Sequence, residues 1–116
     1  MDDARLKALR MIGINENYNL LDEDYHGYIV FIDDNKKNIV FAKAFKLERP
    51  IEREDIGMIS RREYEKIIDS YLEEYAKDVS MFIRFDVFHV WENPVTKVNI
   101  IKQYVDLMPY EDEEGD

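Results

Sequence analysis

The sequence contains no cysteine, which excludes disulfides, zinc–thiolate sites, iron–sulfur clusters and thiol nucleophiles. Glycine and proline are scarce as well, at four and three residues, so the chain is neither collagen-like nor a low-complexity polymer, and it has no glycine-rich phosphate loop. No uninterrupted apolar run is long enough for a secretory signal or a membrane span. We therefore expect a cytoplasmic protein with no membrane partner.

Basic residues are outnumbered, because 16 Lys and Arg stand against 26 Asp and Glu, and the formal net charge is −10. Nucleic-acid binding draws most of its affinity from basic contacts to phosphate, so this charge disfavours a nucleic-acid partner. Apolar residues make up 46% of the chain, enough for the core of one domain. We expect residues 1–108 to form that domain and the acidic residues 109–116 to form a disordered tail.

The apolar periodicity predicts two helices and several strands. The predicted elements are a helix over 4–12, a strand over 18–21, an acidic loop over 22–25, a hairpin of strands 28–32 and 38–42, a loop over 48–58, a helix over 60–75, a strand over 81–91, and a last strand or mixed segment over 95–107. Leu6, Leu9 and Ile12, together with Ala8, share one side of the first helix. Ser60 and Glu63 form a capping box at the start of the long helix. Its apolar face consists of Tyr64, Ile67, Ile68, Tyr71, Leu72 and Tyr75.

An apolar helix face of this length needs a sheet to cover, so we expect an α/β (α+β) fold with a mixed central β-sheet. The aromatic residues fall at helical and strand periods, which predicts a place in the core. That set is Tyr64, Tyr71, Tyr75, Phe82, Phe85 and Phe88.

Four short strings, in this order and at these distances, carry a family resemblance. They are Gly27-Tyr28-Ile29-Val30-Phe31-Ile32, Val40-Phe41-Ala42-Lys43-Ala44-Phe45, Ile59-Ser60-Arg61-Arg62-Glu63 and Arg84-Phe85-Asp86-Val87. Together with the order of elements they resemble the YraN family of predicted bacterial endonucleases, in the restriction-endonuclease-like (PD-(D/E)xK) superfamily. The resemblance covers residues 27–107. It implies a restriction-endonuclease-like core and the activity of a metal-dependent nuclease. With the elements predicted above, we expect this core to have a mixed sheet, a long packed helix and a short N-terminal helix.

The residues that would perform this chemistry are replaced. The superfamily carries an Asp on one hairpin strand and a Glu, followed two residues later by a Lys, on the next. Two carboxylates hold a hard divalent ion, and the Lys stabilises charge beside the attacked phosphate. Here those positions are Val30, Lys43 and Phe45, and the family's additional acid is Tyr28. We therefore expect no catalytic residue, no metal ligand and no cofactor. The expected protein is a catalytically inactive pseudo-nuclease with an interaction or structural role, and its partner is a protein or a second copy.

Two other functions stay open at this point. One is a metal-dependent nuclease whose carboxylates have migrated, and the other is a nucleic-acid-binding protein that does not cleave. Migrated ligands would come from Asp24, Asp33, Asp34, Glu48 or Asp86. The string Asp34-Asn35-Lys36, with Asp24 upstream, matches the bare pattern, although its place in the hairpin turn favours solvated turn residues.

Three smaller groups each have a structural and a functional interpretation. His26 and His89 are too few for a histidine metal site, although acids could complete one, and His89 is expected to be a sheet residue. Arg84 and Asp86 share a strand face at i, i+2, which favours an ion pair over catalysis. Finally, Arg61, Arg62 and Lys66 could form an anion site at a helix N-terminus, but neighbouring acids favour solvated surface.

Overall fold

The computed structural model describes residues 3–49, 59–75 and 81–111. Their elements are α1 (Asp3–Ile14), β1 (Tyr18–Tyr25), β2 (Tyr28–Asp33), β3 (Asn38–Lys46), α2 (Arg61–Tyr75), β4 (Phe82–Glu92) and β5 (Asn99–Tyr104). The strands form one sheet in chain order, antiparallel throughout except that β3 and β4 are parallel. The predicted mixed α+β class is confirmed. Most of the predicted loop over 48–58, and residues 112–116 of the predicted tail, lie outside the described residues.

The predicted hairpin is β2 and β3, in which Val30 lies opposite Phe41. A parallel neighbour cannot follow through a tight turn, so the connection from β3 to β4 crosses a face of the sheet and contains α2. As a result, β2, β3 and β4 lie side by side at the centre. The strings that carry the family resemblance on these three strands are therefore adjacent in space.

The acidic loop predicted over 22–25 is wrong, because β1 continues through it to Tyr25. β1 is an edge strand with register shifts between Leu20 and Asp22 and between Asp22 and Tyr25. Such irregularities are common at sheet edges, where charged side chains can point into solvent while the backbone stays paired. Acidic composition alone therefore did not end this strand.

The two helices cover opposite faces of the sheet. Ala4, Ala8 and Ile12 form the buried side of α1, whereas Leu6, expected on that side, is 46% exposed. The small alanines allow α1 to approach the sheet closely. Ala8 and Ile12 pack with alternate sheet residues, namely Ile29, Phe31, Val40, Ala42 and Phe88.

On the opposite face, Tyr71 of α2 is buried in a second cluster that includes Val30, Phe41, Phe85 and Val87. Tyr64, Ile67, Ile68 and Leu72 pack against it as predicted. Two aromatic residues expected in the core are exposed: Tyr75, at the end of α2, and Phe82, at the start of β4. The apolar periodicity of the sequence continues to the ends of these elements, but the neighbouring layer does not cover the side chains there. Neither described helix is both long and apolar enough to cross a membrane.

Candidate functional site

The positions at which the resemblance places nuclease chemistry all lie on the sheet face covered by α2. Val30 is fully buried and Phe45 packs against the same core cluster, so neither side chain presents a polar group. Tyr28 and Lys43 line a cleft of about 430 Å³ beside α2. From α2 itself, Glu63, Lys66, Ile67 and Ser70 complete its wall. The cleft is thus lined by two of the four positions to which the resemblance assigns nuclease chemistry.

A carboxylate from α2 joins the two strand residues in this cleft. The Tyr28 hydroxyl donates to Glu63 Oε2 at 2.5 Å, and Lys43 Nζ lies 3.6 Å from the same oxygen. The Lys43 ammonium also lies over the Tyr28 ring, 4.7 Å from its centroid, within cation–π range. Burial and the hydrogen bond to Glu63 raise the pKa of Tyr28, so the phenol stays protonated and acts as a donor.

The N-terminus of α2 positions this carboxylate. Ser60 Oγ accepts from the Glu63 backbone amide at 3.1 Å, which confirms the first half of the predicted capping box. The second half is replaced, because the Glu63 carboxylate turns towards Tyr28 and Lys43 instead of back to Ser60. A group expected to serve only the helix end therefore belongs to the cleft.

A tight turn brings a histidine to the mouth of the cleft. His26 and Gly27 connect β1 to β2 with positive φ angles of 50° and 92°, as in a type I′ hairpin. Asp24 Oδ1 accepts from the Gly27 amide at 2.8 Å and closes this turn. His26 lines the cleft together with Lys43 and Lys66. Sequence reasoning missed this combination, although the pair His-Gly between two strands is a turn signal.

Two of the candidate carboxylates, Asp33 and Asp86, do converge, but on the opposite face and around a guanidinium. Arg84 binds Asp86 through two bonds of 2.9 Å and Asp33 through one of 2.7 Å. All three side chains are at most 6% exposed. The predicted ion pair of Arg84 with Asp86 is thus confirmed, and Asp33 is its third member.

Backbone amides extend this buried cluster to two loops. Asp33 Oδ1 accepts from the amides of Asn35 and Lys36 in the β2–β3 turn, and Asp86 Oδ1 accepts from the Asp106 amide after β5. Burial raises the pKa of Asp33, but the Arg84 guanidinium and the turn amides outweigh it, and the net effect lowers the pKa. The cluster therefore anchors two loops, and its carboxylate oxygens already have partners.

The remaining migrated-ligand candidates are not brought together. Asp24 closes the β1–β2 turn, and Asp34 binds the Asn19 side chain beyond the other end of β2. Because β2 has six residues, these two acids are roughly 20 Å apart along the strand direction. Glu48 is exposed beyond β3. The string Asp34-Asn35-Lys36 lies in an exposed turn, as its structural interpretation predicted.

The other sequence candidates separate as well. His89 is a buried sheet residue, as expected, and its ring packs in a T-shaped arrangement with that of Tyr104, with 4.8 Å between the two ring centroids. The basic spot at the start of α2 does not form one site, because Arg61 Nη2 binds Glu111 at 2.8 Å whereas Lys66 lines the cleft.

The cleft residues do not suit a divalent metal ion. Oxygen ligands are needed, and the described lining of the cleft offers one carboxylate, that of Glu63, which Tyr28 and Lys43 already share. Within residues 3–49, 59–75 and 81–111, no three metal-ligating side chains gather in one place.

No family model, no curated protein and no solved structure matches this chain.

Proposed function

We propose that this protein is a non-cleaving relative of the YraN-like endonucleases that keeps a restriction-endonuclease-like core and acts by binding. The order helix, strand, hairpin, helix, strand, strand supports the fold assignment. So does the adjacency of β2, β3 and β4, which carry the strings of the resemblance. We also propose a cytoplasmic location, because disulfides are rare in the cytoplasm and this chain has no cysteine to form one.

The observation that best supports the loss of cleavage is the ion pair of Lys43 with Glu63, whose carboxylate also accepts a hydrogen bond from the Tyr28 hydroxyl. The ammonium lies where the resemblance requires a metal-binding carboxylate. It would repel a divalent ion placed about 4 Å away by several kcal/mol at an effective dielectric constant near 20. In addition, the Asp position is the fully buried Val30, which cannot supply an oxygen. Metal-dependent attack on phosphate therefore lacks its ligands.

A cleavage assay tests this proposal. The purified chain, incubated with supercoiled DNA, single-stranded DNA and RNA in Mg²⁺ or Mn²⁺, should leave all three intact. Cleavage that a chelator abolishes, and that Asp33→Asn or Asp34→Asn also abolishes, would contradict the proposal and favour the nuclease with migrated carboxylates. Metal-independent retention of nucleic acid without cleavage would favour the third function, which the net charge of −10 disfavours.

Self-association through β5 is the interaction that the described surface favours. β5 is the last strand of the sheet, and no described strand pairs with its outer edge. Val95, Val98 and Ile100, at and before its start, are 87%, 59% and 37% exposed. An unpaired edge with apolar neighbours is a template for a second strand, and an antiparallel second copy offers the same edge in return.

Light scattering coupled to gel filtration tests this interface. The unmodified chain should have the mass of a dimer at high micromolar concentration, and Ile100→Lys should have that of a monomer. Leu20→Lys, on the opposite edge strand, is the matched control and should remain a dimer. A monomeric unmodified chain, or a dimer broken only by Leu20→Lys, would contradict self-association through β5.

A further inference from the structure

Among the described residues, the lining of the cleft beside α2 has a charge opposite to that of the whole chain. Lys43 and Lys66 are its cations, His26 adds an imidazole, and Glu63 is the one carboxylate of this described lining. The complete sequence has a formal net charge of −10. A local excess of cationic groups in an acidic chain is a feature that favours an anionic ligand.

The negative charge of Glu63 is already compensated within the cleft. Its Oε2 accepts a hydrogen bond from the Tyr28 hydroxyl at 2.5 Å and forms an ion pair with Lys43 Nζ at 3.6 Å. An ammonium has three donors, so Lys43 retains hydrogen-bonding capacity beyond this pair. Lys66 makes no ion pair with any described residue. Within the part of the chain that the structure describes, its N–H donors are therefore available to a ligand.

The shape of the cleft limits the size of the ligand. A volume of about 430 Å³ lies within the range of small-molecule sites, which is about 300–1,000 Å³. Ile67 adds an apolar side chain to the wall, and Ser70 adds a hydroxyl. A polyanion would meet the acidic surface outside the cleft, whereas a small anion would not. These features select a small molecule with one charged end.

We propose that this cleft binds the phosphate group of a small phosphate ester without a metal ion. Lys43 and Lys66 contact the phosphate oxygens, His26 closes the mouth, and Ile67 packs against the uncharged part of the ligand. Lysine suits this task because it recognises phosphate as a point charge. This inference deepens the proposed function, on which it rests, by assigning a ligand class to the cleft.

Titration with inorganic phosphate, followed by amide NMR at constant ionic strength, tests the inference. The amides of His26, Lys66 and Ser70 should shift saturably at millimolar phosphate, the affinity range of a small fragment. Lys66→Met should weaken binding about five-fold, the effect of removing one exposed charge at contact distance. Glu63→Gln keeps an acceptor for Tyr28 but removes the carboxylate, so it should tighten binding. Lys36→Met, in the distant β2–β3 turn, is the matched control and should leave binding unchanged.

Parallel titrations with acetate and with a phosphate monoester distinguish the chemistry of the ligand. The monoester should bind at least as well as phosphate, and acetate should bind more weakly. The inference is overturned if phosphate causes no saturable shift at the cleft, if acetate binds as well as phosphate, or if Lys66→Met and Lys36→Met behave alike. These outcomes leave the proposed loss of cleavage intact, because that proposal fails only when metal-dependent cleavage or metal binding is observed.

Discussion

Replacing Arg84 by Met should be among the most destabilising single changes in this protein. The change removes the cation between Asp33 and Asp86 and leaves two carboxylates that are 4% and 0% exposed. Met fills much of the volume of the arginine stem, so the loss is mainly electrostatic. Breaking a buried ion pair from one side costs about 3–5 kcal/mol, because the remaining charge stays buried without its partner.

Urea denaturation followed by the fluorescence of Trp91, the single tryptophan, measures this cost. With a slope of about 2 kcal/mol per M, the midpoint should fall by about 2 M at pH 7. Arg10→Met, on the exposed side of α1, is the matched control and should change the free energy of unfolding by less than about 0.5 kcal/mol.

The pH dependence of the Arg84→Met variant gives a second signature. Without the guanidinium, burial acts against the charged form of Asp33 and raises its pKa relative to that in the unmodified chain. An acid with a raised folded pKa binds its proton more tightly in the folded state, so acidification stabilises the variant relative to the unmodified chain. The deficit should therefore shrink as the pH falls from 7 towards 4. A deficit under about 1 kcal/mol at pH 7, or one that grows on acidification, would refute the assignment of this cluster as a structural anchor.

Three further predictions test the fold. Ile68→Asp places a carboxylate in the packed face of α2 and should cost roughly 2–4 kcal/mol by urea denaturation, whereas an unchanged midpoint would show that this face is not core. The lowered pKa of Asp33 contributes stability that is present above about pH 4 and is lost as the pH falls through the folded pKa. The stability gap between Asp33→Asn and the unmodified chain should therefore narrow below about pH 4, and a constant gap would contradict the shift. An added methyl would meet no atom within 4 Å at either Gly27 or Gly13, so the two glycines differ in backbone conformation alone. Gly27→Ala should lower the melting temperature because the φ angle of Gly27 is 92°, whereas Gly13→Ala should raise it because alanine favours the helix α1. Equal effects of the two substitutions would contradict the turn geometry.

Local patterns in the sequence predicted the centre of the fold. The hairpin strands β2 and β3 are rich in β-branched and aromatic residues, and the apolar spacing of α2 fits its length. The full length of β1 escaped prediction because its pairing partner, not its own composition, holds the strand in the sheet. The exposure of Leu6 also escaped prediction. The buried side of α1 is the row of Ala4, Ala8 and Ile12, spaced four residues apart, and Leu6 lies off that row.

The candidate site was predictable only in part. Residues two apart on β4 had to share a face, so the contact between Arg84 and Asp86 followed from the sequence. The third member, Asp33, is 51 positions away, and the parallel pairing of β3 with β4 brings it close. Likewise, Glu63 reaches Tyr28 across 35 positions. Contacts of this length depend on the layer arrangement of helix and sheet, which no local pattern encodes.

Site-resolved titration with Mn²⁺ tests the central claim most directly. Paramagnetic Mn²⁺ broadens the NMR signals of nearby amides, so it separates binding in the cleft from diffuse attraction to an acidic surface. We predict that the amides of Tyr28, Lys43 and Glu63 keep their line widths at Mn²⁺ concentrations that broaden exposed acidic segments. Saturable broadening of these three amides in the unmodified protein would show that the cleft holds a divalent ion and would contradict the loss of the metal site.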